Sequence, residues 1–112
     1  MDYDLLFTEL SEAIKELDGK DIHDAYPELA KKYDILNEAL NTLTEREKNV
    51  LKLHCGLTDG KKYTYEEIGK MHMAKPERVE QIFLSGIRKL NHPSRIHKCL
   101  SHLRTNYKNN KD

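Results

Sequence analysis

A chain of 112 residues has room for one small domain with an appended segment and a modest core, which excludes a deep enzyme cleft between two domains. At 38% hydrophobic and 34% charged, it suits a helical protein with thin packing and a well-solvated surface. The net charge of zero conceals a division: residues 1–43 hold eleven Asp and Glu against four Lys (−7), and residues 44–112 hold fifteen Lys and Arg against eight Asp and Glu (+7).

The basic part suits a polyanion, and the acidic part suits a basic partner or its own basic half. Taken as charge alone, both also read as ordinary solvated faces. No apolar run is long enough to span a bilayer, and the acidic N-terminus lacks a signal-peptide pattern, so no membrane association and a cytoplasmic location are expected. Cys55 and Cys99 are too few for a disulfide framework and are expected as free thiols.

Helical periodicity recurs along the chain, and no sustained period of two argues for a strand. Tyr3, Leu6, Phe7, Leu10, Ile14 and Leu17 predict a helix over 3–17, ended by Asp18-Gly19. Residues 19–26 read as a connection. Pro27 opens a helix to Asn41 with Leu29, Tyr33, Leu36 and Leu40 as its buried face. Thr44-Glu45-Arg46-Glu47 is a capping box before a helix over 45–54, stopped by Gly56. A loop over 58–63 carries the Asp59-Gly60 turn signal.

Thr64-Tyr65-Glu66-Glu67 is a second capping box, opening a short helix to Met71. After a brief turn, Pro76 starts a longer helix to Leu90. This pair reads as a helix-turn-helix, with Gly69 as the small residue at the close crossing and Ile68, Val79 and Ile82 as its contacts. Asn91-His92-Pro93 stops this helix, and a last short helix over 94–103 precedes a polar tail. The expected fold is all-α: a small helical bundle with a helix-turn-helix. Its parts are an acidic helical segment over 1–36, the helix-turn-helix domain over 37–105 and the tail over 106–112.

Four blocks carry a specific resemblance. Leu43-Thr44-Glu45-Arg46-Glu47 through Val50-Leu51-Lys52-Leu53 and Gly56 comes first, followed by Thr64 to Lys70. Glu77-Arg78-Val79-Glu80-Gln81-Ile82 and Ile87 to Arg95, closing on His-Pro-Ser-Arg, complete the set. In order and spacing they resemble region 4 of primary-type sigma-70 family RNA polymerase sigma factors, over about half the chain. The resemblance implies recognition of double-stranded promoter DNA at a minus-35-type element, and binding of the RNA polymerase beta-subunit flap in an apolar cleft.

The residues agree with the first implication. Positions 77, 81, 84 or 85, and 88 share the helix face opposite Val79, Ile82 and Gly86. Gln81 can bond an adenine edge in two places and Glu77 can accept from a cytosine amine. Arg78 and Lys75 can reach phosphates, and Arg46, Lys52 and the helix start at Thr64 can set the domain on the backbone. Arg88, Lys89 and Arg95 add charge. The expected DNA-binding residues are Arg46, Thr64, Lys75, Glu77, Arg78, Gln81 and Arg88. Against this stands a plain solvated helix face.

Several positions depart from the family pattern. Lys75 stands for a threonine, and Pro76 and Glu80 for arginines, which weakens or redirects DNA reading. His72 replaces a core phenylalanine whose space Met71 or Met73 could fill. His54-Cys55 replaces an Arg-Phe pair. Phe83 and Leu84 replace a glutamate and an alanine, and if exposed they would offer an apolar spot to a protein.

No aromatic-rich segment for melting a minus-10 element is present in the chain. The resemblance then implies a split sigma factor with a region 2-type partner protein, a co-regulator at the flap, or a decoy of anti-sigma or phage type. His97, Cys99 and His102 lack metal-ligand spacing, and no nucleophile–base pair or phosphate-binding glycine loop occurs, so neither cofactor, metal nor enzyme activity is expected. The N-terminal stripe has two readings: packing against the rest to enlarge the core, or an arm that occupies the DNA-binding or flap-binding face until displaced.

Overall fold

Apolar side chains recur every three or four positions, and each such stretch forms a helix that buries one side. The computed structural model describes residues 3–91, and among these are six helices and no strand. The helix expected over 94–103, the tail and the closing His-Pro-Ser-Arg lie outside the described residues.

Helix α1 (Tyr3–Glu16) buries Leu6, Phe7 and Leu10. It ends where Asp18 (φ 48°) and Gly19 (φ 83°) turn left-handed in succession, and the Lys20 N–H closes the reversal on the Leu17 carbonyl at 2.9 Å. Aspartate and glycine are among the residues that tolerate this conformation. The connection expected next contains a short helix, α2 (Ile22–Ala25). Asp21 caps it by accepting from the His23 N–H at 2.8 Å, and Ile22 is buried. One turn is too short to show a periodicity, which is why it reads as a loop.

Helix α3 (Pro27–Leu40) starts with proline in its first turn and runs unbroken across residues 36 and 37. Its buried face is Ala30, Ile35, Leu36, Ala39 and Leu40, while Leu29 and Tyr33 are only half-buried. The face is rotated from the expected one because the alanines count as contacts: their small side chains occupy the closest approach.

Helix α4 (Glu45–Cys55) begins with the expected capping box. Thr44 Oγ1 accepts from the Glu47 N–H at 3.2 Å, and the Thr44 N–H donates to Glu47 Oε1 at 3.1 Å. Gly56, left-handed at φ 75°, ends it. Gly60 is left-handed in the following loop, and Asp59 accepts from the Lys61 N–H at 3.0 Å and from Tyr63 Oη at 2.7 Å. Helix α5 (Tyr65–His72) has the second capping box, and α6 (Pro76–Leu90) follows.

The core has two clusters. One joins α1, α3, α4 and the end of α6 through Leu10, Leu36, Leu40, Leu51 and Leu90; each fully buried leucine contributes about 2 kcal/mol. The other, Val50, Ile68, Val79 and Ile82, sits under the helix-turn-helix, and Phe83 packs against both. The N-terminal stripe therefore packs on the rest of the chain, through apolar contact. Among the described residues no ion pair joins α1 to another element. No described helix is long and apolar enough to cross a membrane.

Candidate nucleic-acid interface

The turn between α5 and α6 depends on one small residue. A Cβ on Gly69 would run into the Ala74 carbonyl oxygen, and the Ala74 N–H donates to the Gly69 carbonyl at 2.9 Å. The close approach is thus made by the turn backbone itself, not by α6 crossing above it. Met73 ends α5 left-handed at φ 55°. Lys75 then caps α6 with its backbone only: its carbonyl accepts from the N–H groups of Arg78 and Val79, and its side chain makes no cap bond.

Three elements are locked together where sequence departures meet. The His54 ring of α4 stacks on Tyr65 of α5, with centroids 4.4 Å apart, and meets the Phe83 ring of α6 edge-on at 4.7 Å. His54 Nδ1 is 2.9 Å from the Tyr63 carbonyl oxygen, which assigns the proton to that nitrogen. Phe83 is therefore half-buried and does not form an exposed spot; Leu84, 47% exposed, does. The sequence offered a signal for this cluster, since 54 and 83 both depart from the family pattern, but no rule of spacing joins them.

Burial also corrects the reading of residues 71–73. Met71 and Met73 are exposed, as is His72, so neither methionine fills a core space. Cys55 is buried, and burial pushes its thiol up to about 12.

The outward face of α6 carries four of the seven expected residues near its start. Lys75, Glu77, Arg78 and Gln81 are all exposed, and Arg78 Nη1 approaches Gln81 Oε1 at 3.5 Å. Arg88 is exposed two turns beyond Gln81, about 10 Å along the axis. Arg46 is exposed in the first turn of α4, beside Glu47, which meets Ser85 and Lys89 of α6. Thr64 is exposed at the start of α5, where its oxygen is engaged in the capping box.

Ser85 leaves the open face and turns to Glu47 at 2.7 Å. Lys89 is likewise drawn to Glu47. Lys52 is half-buried, and burial, with Lys48 adding to it, lowers its pKa against the pull of Glu45. The open face thus alternates Lys75, Arg78 and Arg88 with Glu77 and Glu80. Among the described residues no group of His, Cys, Asp and Glu could hold a metal ion; His97, Cys99 and His102 lie outside them.

Comparison with known proteins agrees with this geometry. Residues 39–92 match the family model of sigma-70, region 4. The chain is 49% identical over 73 residues to an RNA polymerase sigma factor SigA of a Bacillus species, an alignment covering 62% of this chain and 19% of that relative. The chain thus corresponds to about a fifth of the length of that curated relative.

Proposed function

Residues 39–92 being a sigma-70 region 4 domain, a non-enzymatic DNA-binding helix-turn-helix unit of transcription initiation, we propose that this protein regulates transcription by binding both RNA polymerase and promoter DNA. The polymerase contact is the beta-subunit flap, and the DNA contact is a minus-35-type element read by α6. The protein acts as one part of a split sigma factor, with a region 2-type partner protein, or as a co-regulator beside a complete one.

The observation that carries the DNA contact is the open face of α6. Glu77, Arg78 and Gln81 are all exposed on a helix whose opposite side, Val79 and Ile82, is buried. A helix presented this way can enter a major groove with polar side chains leading. Gln81 and Glu77 read base edges; Lys75, Arg78, Arg88 and Arg46 meet phosphates, and the start of α5 at Thr64 presents backbone N–H groups to one more.

Fluorescence anisotropy with minus-35 duplexes over a range of salt concentrations tests this. Binding should weaken as salt rises. Arg78→Ala should lower the salt slope by about one, and Gln81→Ala should lose about 1–3 kcal/mol of discrimination at one base pair. Retention of the polymerase beta subunit on the immobilised protein tests the other contact, and failure to retain it sinks the polymerase reading.

A second reading is a decoy that binds polymerase or a sigma partner without reading DNA. Exposed Glu80 and Pro76 at the start of α6, with Leu84 beyond them, favour it. Beta-subunit retention together with no salt-dependent DNA binding would select this reading over the first.

A further inference from the structure

The open face of α6 carries one charged side chain that departs from the family pattern and that the fold leaves without a partner. Glu80 stands where an arginine is usual in that pattern. It is exposed, and among the described residues no hydrogen bond or ion pair engages its carboxylate. Arg78, the cation nearest to it in sequence, approaches Gln81 at 3.5 Å instead. Burial raises the Tyr65 pKa and the charge of Glu80 raises it further, which sets Glu80 on the side of α6 toward the start of α5.

Its place along the helix favours bases over backbone. Glu80 is the fifth residue of α6, in the second turn, and Glu77 is the second. A helix that enters the major groove meets base edges with its N-terminal residues. Glu77 and Glu80 are separated by about 4.5 Å along the axis, comparable to the rise of about 3.4 Å between base pairs, so the two address neighbouring pairs.

Chemistry narrows what Glu80 can meet there. A carboxylate is an acceptor only and repels phosphate, so an amine on a base edge is what satisfies it. The major groove offers that amine on cytosine and on adenine, and the adenine amine stands beside an acceptor nitrogen that a carboxylate cannot bond. Guanine and thymine turn acceptors toward it. A charge left unpaired in the groove costs more than an unmet amide. Glu80 therefore weakens binding to every duplex that offers it no amine, which is selectivity and not mere loss of reading.

We propose that Glu80 is a specificity-determining residue of α6, selecting a C·G pair through the cytosine N4 amine beside the pair read by Glu77. This rests on the DNA contact given under Proposed function, and it names the sequence class which that contact prefers: an element with neighbouring cytosine amines turned toward α6.

A pool of duplexes randomised across the element, captured on the immobilised full chain and sequenced, tests the role of Glu80. The unaltered chain should favour cytosine about tenfold at the pair concerned. Glu80→Ala should flatten that position alone, and should raise affinity for unselected duplex because a charge that repels phosphate is gone. Glu80→Gln should move the preference to adenine, which an amide bonds in two places. Since Glu80 is exposed, the three chains should melt together by circular dichroism, which separates a change of base preference from a folding defect. One base profile shared by all three chains, even with tighter binding by the variants, would make Glu80 a solvated charge and overturn the proposal. Pools without base preference or salt dependence in any chain would instead sink the DNA contact itself, and the role of Glu80 with it.

Discussion

Lys89 Nζ lies 2.9 Å from the Glu47 carboxylate, joining the last turn of α6 to the first turn of α4. Ser85 Oγ donates to the same carboxylate at 2.7 Å, and the Thr44 N–H at 3.1 Å. One buried side chain therefore closes a helix cap and also joins α4 to α6. Burial alone would raise the Glu47 pKa; the bonds from Lys89, Ser85 and Thr44 outweigh it and bring it down to about 2.

Glu47→Gln should accordingly destabilise the protein by about 1–3 kcal/mol at neutral pH, read by urea denaturation. The pH dependence has a definite sign. Because the folded value is depressed, the stabilisation is present above the ordinary value of 4.5 and fades as pH falls toward about 2. Denaturation midpoints should fall across that window in the native protein, and less in the Gln variant. An equal fall in both would show that Glu47 is not responsible.

Gly69→Ala should be among the most damaging of conservative changes. The added methyl meets the Ala74 carbonyl, a backbone atom of a short turn that cannot swing aside as a side chain could. A loss of about 1–3 kcal/mol is expected, with weaker binding of minus-35 DNA as α6 shifts. A melting temperature within a degree of the native protein would contradict the crowding.

Met73 should be improvable. It is 96% exposed and left-handed at φ 55°, so its side chain contributes little packing while its backbone is strained. Met73→Gly should stabilise the fold by about 1 kcal/mol, measured by thermal or urea unfolding. A net loss of stability would mean that the side chain makes contacts that outweigh the strain.

His23 should titrate above its ordinary range. Its ring bonds Asp21 Oδ1 at 2.9 Å and the Asp34 carboxylate at 3.0 Å, and these two bonds, Asp21 first, raise its pKa over the opposing effect of burial. The charged form ties the cap of α2 to α3. Its contribution is therefore complete below the ordinary value of 6.5 and is lost as pH rises through the elevated folded value. Proton NMR titration of His23 should show the elevation, and Asp34→Asn should reduce it. An unchanged titration in that variant would rule out the pair.

Much of the fold was legible because its signals are local. The capping boxes at Thr44 and Thr64 fixed two helix starts to the residue, and Pro76 and Leu90 bound α6 as expected. Periodicity found the stripe of α1, and the blocks around Thr64, Gly69 and Val79 located the helix-turn-helix. Helix α2 escaped because its single turn is held by Asp21 and by tertiary burial of Ile22, neither of which has a period.

The candidate site was legible in outline only. Which side of α6 is buried follows from spacing, so the exposure of Glu77, Arg78, Gln81 and Arg88 could be read from the chain. That Ser85 and Lys89 turn from the open face to Glu47 could not, since the partner stands 38 and 42 residues away. Nor could the meeting of His54, Tyr65 and Phe83, or the seat of α1 over Leu51 and Cys55. Caps, turns and helix faces are decided by neighbours a few positions apart along the chain. Tilts, shared clusters and the covering of one helix by another depend on which distant surfaces exclude water together, and that is settled only when the helices pack.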